Sequence, residues 1–168
     1  MPEIDIVKMS ATHLAPVVVI ESNIFRDPWT AESFIEILSL SPYCWVALMG
    51  QTVVGYLITQ WVLDEVHILN VGVAADMQRK GIGARLMEDV LQRARTNGMR
   101  DVFLEVRVSN TAAISLYRRF GFEDVSIRKK YYGDGENALV MHCHLTDVDE
   151  GPDFSGADET ETDLENSR

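Results

Sequence analysis

Asn70-Val71-Gly72-Val73-Ala74-Ala75-Asp76-Met77-Gln78-Arg79-Lys80-Gly81-Ile82-Gly83-Ala84-Arg85-Leu86-Met87 reads as a strand, a polar turn and the start of a helix. The apolar run ends near Ala74, and Leu86, Val90 and Leu91 then recur at helical spacing behind Gly81 and Gly83. The first N–H groups of a helix lack intrahelical partners and lie at the positive end of its macrodipole. Such a junction attracts an anion, and glycines let a phosphate approach the main chain. Arg79 and Lys80 add cationic reach from the same turn. Two phosphate motifs fail here. A dinucleotide fingerprint needs a third glycine where Leu86 stands, and it follows a first strand, which this is not. A P-loop needs its lysine after the glycine, whereas Lys80 precedes Gly81. A third pattern, Gln/Arg-x-x-Gly-x-Gly/Ala, is met by Gln78, Gly81 and Gly83. Taken alone it weighs no more than a glycine-rich turn that binds nothing.

The 168 residues suffice for one domain with its own core. The net charge of −11 is uneven: residues 147–168 hold nine acidic residues and one arginine, so residues 1–146 carry only −3. That mild balance argues against nucleic acid as a main partner, while Arg79, Lys80 and Arg85 form a local basic patch suited to an anionic cofactor. The first residues show neither a basic start nor a long apolar run, and no stretch nears the roughly 18 apolar residues of a membrane helix; the expected compartment is the cytoplasm. Cys44 and Cys143 fall in expected strands without metal-like spacing and read as buried free thiols. Residues 1–146 form the expected domain, and 147–168 read as an acidic, disordered tail.

Along the chain, Ile4 to Val7 predicts a strand, Ser10 caps a helix running to about Asn23 that Pro16 bends or delays, and Thr30 caps a second helix to about Leu38 with Phe34, Ile35 and Leu38 as its buried stripe. Tyr43–Met49 and Thr52–Trp61 are strands joined by Gly50-Gln51, and Val62–Ala74 continues as one long strand carrying Asp64, Glu65, His67 and Asn70. The glycine helix ends at about Thr96 before Asn97-Gly98. A strand Asp101–Val108, a helix Asn110–Phe120, and strands Phe122–Tyr131 and Ala138–Leu145 follow, the last two joined by a glycine-rich loop. The order β-α-α-β-β-β-α-β-α-β-β predicts an α/β fold, a mixed sheet with helices on both faces. A right-handed crossover makes the glycine-turn strand and Asp101–Val108 parallel neighbours.

Strand alternation places Leu104, Val106 and Val108 on one face and Phe103, Glu105 and Arg107 on the other. Glu105 is thus a carboxylate aimed off a central strand, either a general base or half of an ion pair with Arg107 or Arg118. Asn110 suits a helix cap, and Tyr117 lies two turns further along the same helix face, as core aromatic or as a shared ligand contact. His142 and His144 share a strand face with no third ligand nearby and read as surface or groove histidines without metal; His67 faces the same way as Glu65.

Together, Gln78-Arg79-Lys80-Gly81-Ile82-Gly83, Leu104-Glu105-Val106-Arg107, Ser109-Asn110, Ala113-Ile114-Ser115-Leu116-Tyr117 with Gly121-Phe122, and Tyr131-Tyr132 with Asp134-Gly135-Glu136 resemble the GNAT N-acetyltransferases. Within that superfamily the chain is most similar to the RimI group of ribosomal-protein-alanine N-acetyltransferases. The likeness covers about residues 3–145 and extends to Phe25, Pro28-Trp29 and Leu63-Asp64-Glu65. It implies acetyl-CoA as acetyl donor, held by the backbone of Val71, Gly72 and Val73, with Arg79, Lys80, Gly81, Ile82, Gly83 and Ala84 cradling the pyrophosphate and Asn110 touching the cofactor. It implies Glu105 as general base through water and Tyr117 as general acid to the departing thiolate. Phe25, Tyr131 and Tyr132 would flank the acceptor groove. The implied acceptor is the N-terminus of an alanine-starting protein, with small-subunit ribosomal protein bS18 foremost, and the implied assembly is a monomer or weak dimer. An α-amine with pKa of roughly 7.7–8.0 is already ~10–20% neutral near pH 7, so a modest carboxylate base suffices.

Two positions depart from the family pattern. Asn137 replaces the usual Asp after Glu136, which bears on the loop's electrostatics, and Gly72 replaces Ala, which loosens the cofactor strand. Rival readings are an acetyltransferase for lysine or small amines, and a non-catalytic acyl-CoA-binding module. The presence of both Glu105 and Tyr117 favours an enzyme.

Overall fold

The computed structural model describes residues 2–145. The tail reading therefore lies outside the described residues. The chain forms β1 (Ile4–Lys8), α1 (Leu14–Ile24), α2 (Ala31–Leu40), β2 (Cys44–Met49), β3 (Thr52–Val62), β4 (Glu65–Val73), α3 (Ile82–Thr96), β5 (Asp101–Arg107), α4 (Thr111–Arg119), β6 (Glu123–Arg128) and β7 (Ala138–His144), in the order expected from the sequence. The sheet runs β1-β2-β3-β4-β5-β7-β6, with β4 and β5 parallel and every other neighbouring pair antiparallel.

Alternation along the strands builds two cores. Trp45 and Ala47 of β2 and Val54 and Leu57 of β3 join Leu86, Val90, Ile114 and Tyr117 on the α3–α4 face. Cys44, Val46, Tyr56 and Ile58 join Val17, Ile20 and Phe34 on the α1–α2 face. Both cysteines are free and buried, and burial pushes their thiols above the ordinary range.

Several expectations shift. Ser10 opens a short 3-10 turn, its N–H donating to His13 Nδ1 at 3.0 Å, so α1 starts only at Leu14 and Pro16 falls in its first turn, where an N–H is not needed. Thr30 caps α2 by accepting from Ser33 N–H at 3.2 Å. Ile35 is 54% exposed, and Ile37 rather than Ile35 packs on the core beside Phe34 and Leu38. The long strand Val62–Ala74 is interrupted: Leu63 and Asp64 form a turn, with Leu63 at φ 56°, so β3 and β4 make a hairpin. β6 stops at Arg128 because the chain turns at Lys130, φ 51°.

Two features of β4 position the site. Its pairing with β5 covers only Glu65–Ile68 against Asp101–Leu104, and beyond that point the strands part. Against β3, the register steps from Ile58↔Asn70 to Thr59↔Ile68, a bulge that leaves Leu69 unpaired.

Gly72, expected to loosen this strand, does not do so. Tyr56 Oη and its ring stand where a Cβ would lie, and Ile24 Cδ1 would be 2.8 Å from it. The missing methyl is replaced by a buried phenol. Gly72→Ala is therefore expected to destabilise the protein by about 1–3 kcal/mol through overpacking. Adding Tyr56→Phe should recover part of the loss, because the ring carbon remains close; urea unfolding of the four variants of the cycle measures both terms.

Candidate active site

The parted ends of β4 and β5 form the centre. Residues 71–73 remain laddered to β3, through Leu57↔Val71, Tyr56↔Gly72 and Gly55↔Val73. On the β5 side, alternate backbone N–H and C=O groups meet no strand. Val71, Gly72 and Val73 are buried there.

Behind β4, a 3-10 turn at Ala75–Met77 leads into the glycine turn, and Gln78 Nε2 donates to Val73 O at 3.1 Å, pinning the turn to the strand end. Arg79 and Gly81 take left-handed conformations, φ 64° and 78°; a Cβ on Gly81 would meet nothing within 4 Å, so glycine serves the backbone conformation there. The first bond inside α3 is Arg85 N–H to Gly81 O at 3.0 Å. The N–H groups of Ile82, Gly83 and Ala84 precede it and are the helix's open donors. Arg79, Lys80 and Gly81 are exposed and Ala84 is half-buried, whereas Ile82 and Gly83 are buried against the sheet. This composition fits a diphosphate: amide donors, a dipole and cationic side chains at one helix mouth. Asn110 caps α4, accepting from Ala113 N–H at 3.2 Å, which places a second helix mouth after β5.

A cavity of about 590 Å³ lies on the α1–α2 face of the splay. Its lining includes Phe25 and Trp29 from the α1–α2 loop, Leu69 from the bulge, Glu105 from β5, and Tyr131 and Tyr132 from the β6–β7 loop. Thus Glu105, Phe25, Tyr131 and Tyr132 meet. Tyr117 does not line this cavity: it is fully buried on the α3–α4 side, its ring 5.8 Å from Phe122. Glu105 and Tyr117 come from opposite faces of the sheet.

Neither expected ion pair of Glu105 forms. Its carboxylate faces Arg128 Nη2 at 3.6 Å, while Arg118 pairs with Asp124 at 2.8 Å. Arg107 instead donates to Asp134 at 2.9 and 3.0 Å and to Glu136 at 3.0 Å, and its guanidinium lies 4.1 Å from the Tyr132 ring centre. Glu136 also accepts from Ser109 N–H at 3.0 Å, and Arg26 reaches Asp134 at 3.7 Å, so the two loops meet across the cavity. Asn137, whose effect on this loop was at issue, accepts from Lys130 N–H at 3.0 Å through its side chain and from Val108 N–H at 3.2 Å through its carbonyl; it closes the loop's base. Arg107, Asp134 and Arg26 carry no signal in single-sequence spacing beyond Arg107 sharing a face with Glu105, since their partners are 27 or more residues away.

Burial drives the Tyr132 phenol far above its ordinary value, so it stays protonated. Burial, reinforced by the Glu105 charge, raises Tyr131 as well. Away from the cavity, His142 and His144 both donate to Asp101 Oδ1, at 2.7 and 3.1 Å, and His67 bonds Glu65 at 3.0 Å. Among the described residues no group of His, Cys, Asp and Glu side chains is placed to hold a metal, and no helix is long and apolar enough to cross a membrane.

The loop anchor has a pH signature. The Glu136 N–H and Arg107 lower the Asp134 carboxyl, and Ser109 with Arg107 lowers that of Glu136. Both folded-state values lie below the unfolded ones. The stabilisation is therefore complete at neutral pH, begins to fade below about pH 4, and is lost as pH falls through the depressed values. Carboxyl carbon shifts followed by NMR should show Asp134 and Glu136 titrating below ordinary carboxylates, and Arg107→Met should move both only part of the way back, because the Glu136 and Ser109 N–H bonds remain.

Comparison with known proteins agrees with this geometry. Residues 14–122 match the family model described as the Acetyltransferase (GNAT) family. The [ribosomal protein bS18]-alanine N-acetyltransferase of Salmonella typhimurium is 34% identical over 136 residues, 79% of this chain and 92% of that protein. The crystal structure of the ribosomal-protein-S18-alanine N-acetyltransferase from Escherichia coli superposes with a TM-score of 0.80 at 32% identity, covering 90% of this chain and 100% of that one. That of Ard1 from Thermoplasma volcanium gives 0.82 at 27% identity, over 86% and 99%. A sheet that parts beside a glycine-led helix mouth, in a chain matched this far along its length, makes this protein a member of the GNAT acetyltransferase family, enzymes that draw their acetyl group from acetyl-CoA.

Proposed function

We propose that the chain is a protein N-terminal acetyltransferase, moving acetyl from acetyl-CoA to the α-amine of an alanine-starting protein, with ribosomal protein bS18 the foremost acceptor. The observation that carries this reading is the cavity in which Glu105 meets the two loops bearing Phe25, Tyr131 and Tyr132, on the far side of the splay from the α3 mouth. The activities named for the Salmonella and Escherichia relatives support the acceptor. The reading assigns the work to residues 1–146, a monomer or weak dimer in the cytoplasm that uses no metal and binds neither nucleic acid nor membrane.

In this mechanism the N–H groups at Ile82, Gly83 and Ala84, with Arg79, Lys80 and Gly81, hold the pyrophosphate, and Asn110 touches the cofactor. The backbone of Val71, Gly72 and Val73 aligns the pantetheine and donates to the thioester oxygen, a device worth roughly 3–4 kcal/mol elsewhere. The amine nitrogen attacks the carbonyl carbon, Glu105 takes its proton through water, and the carbon–sulfur bond breaks as Tyr117 gives a proton to sulfur. Phe25, Tyr131 and Tyr132 seat the first acceptor residues. Tyrosine suits the acid role because a phenol, with an ordinary pKa of about 10, can donate a proton near neutral pH. The acceptor preference follows from basicity: a lysine amine, pKa about 10.4, is far less often neutral than an α-amine.

The test is release of CoA thiol with peptides beginning Ala, Ser or Met and with an N-blocked lysine peptide. Turnover should be fastest on the Ala peptide. Faster turnover on the lysine peptide overturns the acceptor assignment, and acetyl-CoA binding without turnover on any peptide would favour a sensor. Glu105→Gln and Tyr117→Phe should each lower kcat by roughly 100-fold while leaving acetyl-CoA affinity nearly unchanged.

A further inference from the structure

A buried carboxylate sits where three other segments meet. Glu21 of α1 is fully enclosed. Its Oε1 accepts from Trp29 N–H at 2.9 Å, and its Oε2 accepts from Asn70 Nδ2 at 2.9 Å and from the Tyr56 hydroxyl. Those donors belong to the α1–α2 loop, to β4 and to β3.

Each donor stands at a point where the site needs fixed geometry. Trp29 lines the cavity. Asn70 borders the bulge that sends Leu69 into the same cavity, and it is the second residue beyond the end of the β4–β5 ladder. Tyr56 covers Gly72 in the strand that faces the donor. The arrangement is costly for the fold alone. Asn70 Oδ1 is buried with no hydrogen-bond partner, and a buried acceptor left unmade is destabilising. Replacing both partners of a buried hydrogen bond by apolar groups of the same shape can be nearly neutral or stabilising. What a directional network provides, and an apolar contact does not, is one defined relative placement of its members.

We infer that Glu21 is a positioning residue that joins the donor strand, residues 70–73, to the acceptor loop, residues 25–30. Through it the two halves of the site hold one relative placement, and occupancy of the donor side steadies the loop on the acceptor side. The inference deepens the N-terminal acetyltransferase reading and rests on it for its kinetic arm only.

The full chain carrying Glu21→Gln or Tyr56→Phe is measured in two ways. Hydrogen exchange with and without acetyl-CoA needs no acceptor. In the native chain acetyl-CoA should slow exchange at residues 25–30, the Trp29 amide included, as well as at 70–73 and 82–84. In Glu21→Gln the slowing at 25–30 should vanish while that at 82–84 persists. In the kinetic arm, Glu21→Gln should lower kcat by about 10- to 100-fold, the scale of a small misplacement of reacting groups, with little change in KM for acetyl-CoA. Tyr56→Phe should move both readouts the same way by less.

Native kcat and native loop protection in Glu21→Gln, with only a lower Tm, would show a merely structural role and overturn the inference, as would a native chain whose loop does not respond to acetyl-CoA. If Glu21→Gln does not fold, Tyr56→Phe, which keeps the carboxylate, decides by the same two readouts. If the native chain releases no CoA on any peptide, the acceptor reading fails and the exchange arm alone decides this one.

Discussion

β4 and β5 are parallel neighbours that pair through Ile68 and Leu104 and then part, although β4 continues to Val73 and β5 to Arg107. Each stays anchored on its outer side. β4 remains laddered to β3 as far as Gly55↔Val73, and β5 to β7 as far as Arg107↔Ala138. The opening is therefore a rigid wedge between two intact half-sheets, lined by backbone groups that require partners. Everything else in the site is placed by that wedge: the α3 mouth behind β4, the capped start of α4 after β5, and the cavity on the opposite face.

The two sides of the wedge are held by different physics. Toward α3 and α4 the support is apolar, with Leu86, Met87, Val90, Leu104, Val106 and Tyr117 in one continuous core. Toward the cavity it is ionic. Arg107 ties the β6–β7 loop to β5 by bonds to Asp134 and Glu136 and by its stack on Tyr132, and Arg26 of the other loop reaches the same Asp134. An apolar floor fixes one side within tight packing tolerances, whereas the partly exposed ionic contacts on the other side are weaker and can break and re-form. The pairing also leaves Glu105 facing Arg128 across 3.6 Å rather than locked to the neighbouring Arg107.

Gly72 and Tyr56 show how a departure from a family pattern is absorbed. A glycine in this strand reads as slack, yet the space is occupied by a phenol whose hydroxyl is itself held by Glu21. A residue on β3, itself held by one on α1, fills the space that a side chain at position 72 would need.

Local periodicity and turn chemistry were sufficient to read the element order, the strand–turn–helix at 70–87, the cap at Thr30 and the outward face of Glu105, because each depends on neighbours a few residues away. The same locality explains the misreadings. The turn at Leu63-Asp64 has no glycine, proline or asparagine to mark it, and the exposure of Ile35 depends on where α2 meets the sheet. Which residues would share the cavity, that Arg107 would bind Asp134 and Glu136, and that Glu21 would gather donors from Trp29, Tyr56 and Asn70 were decided only by the tertiary structure. Those contacts span 27 to 49 residues for all but the Trp29 bond, and a one-dimensional pattern carries no record of which distant strand ends a sheet brings together.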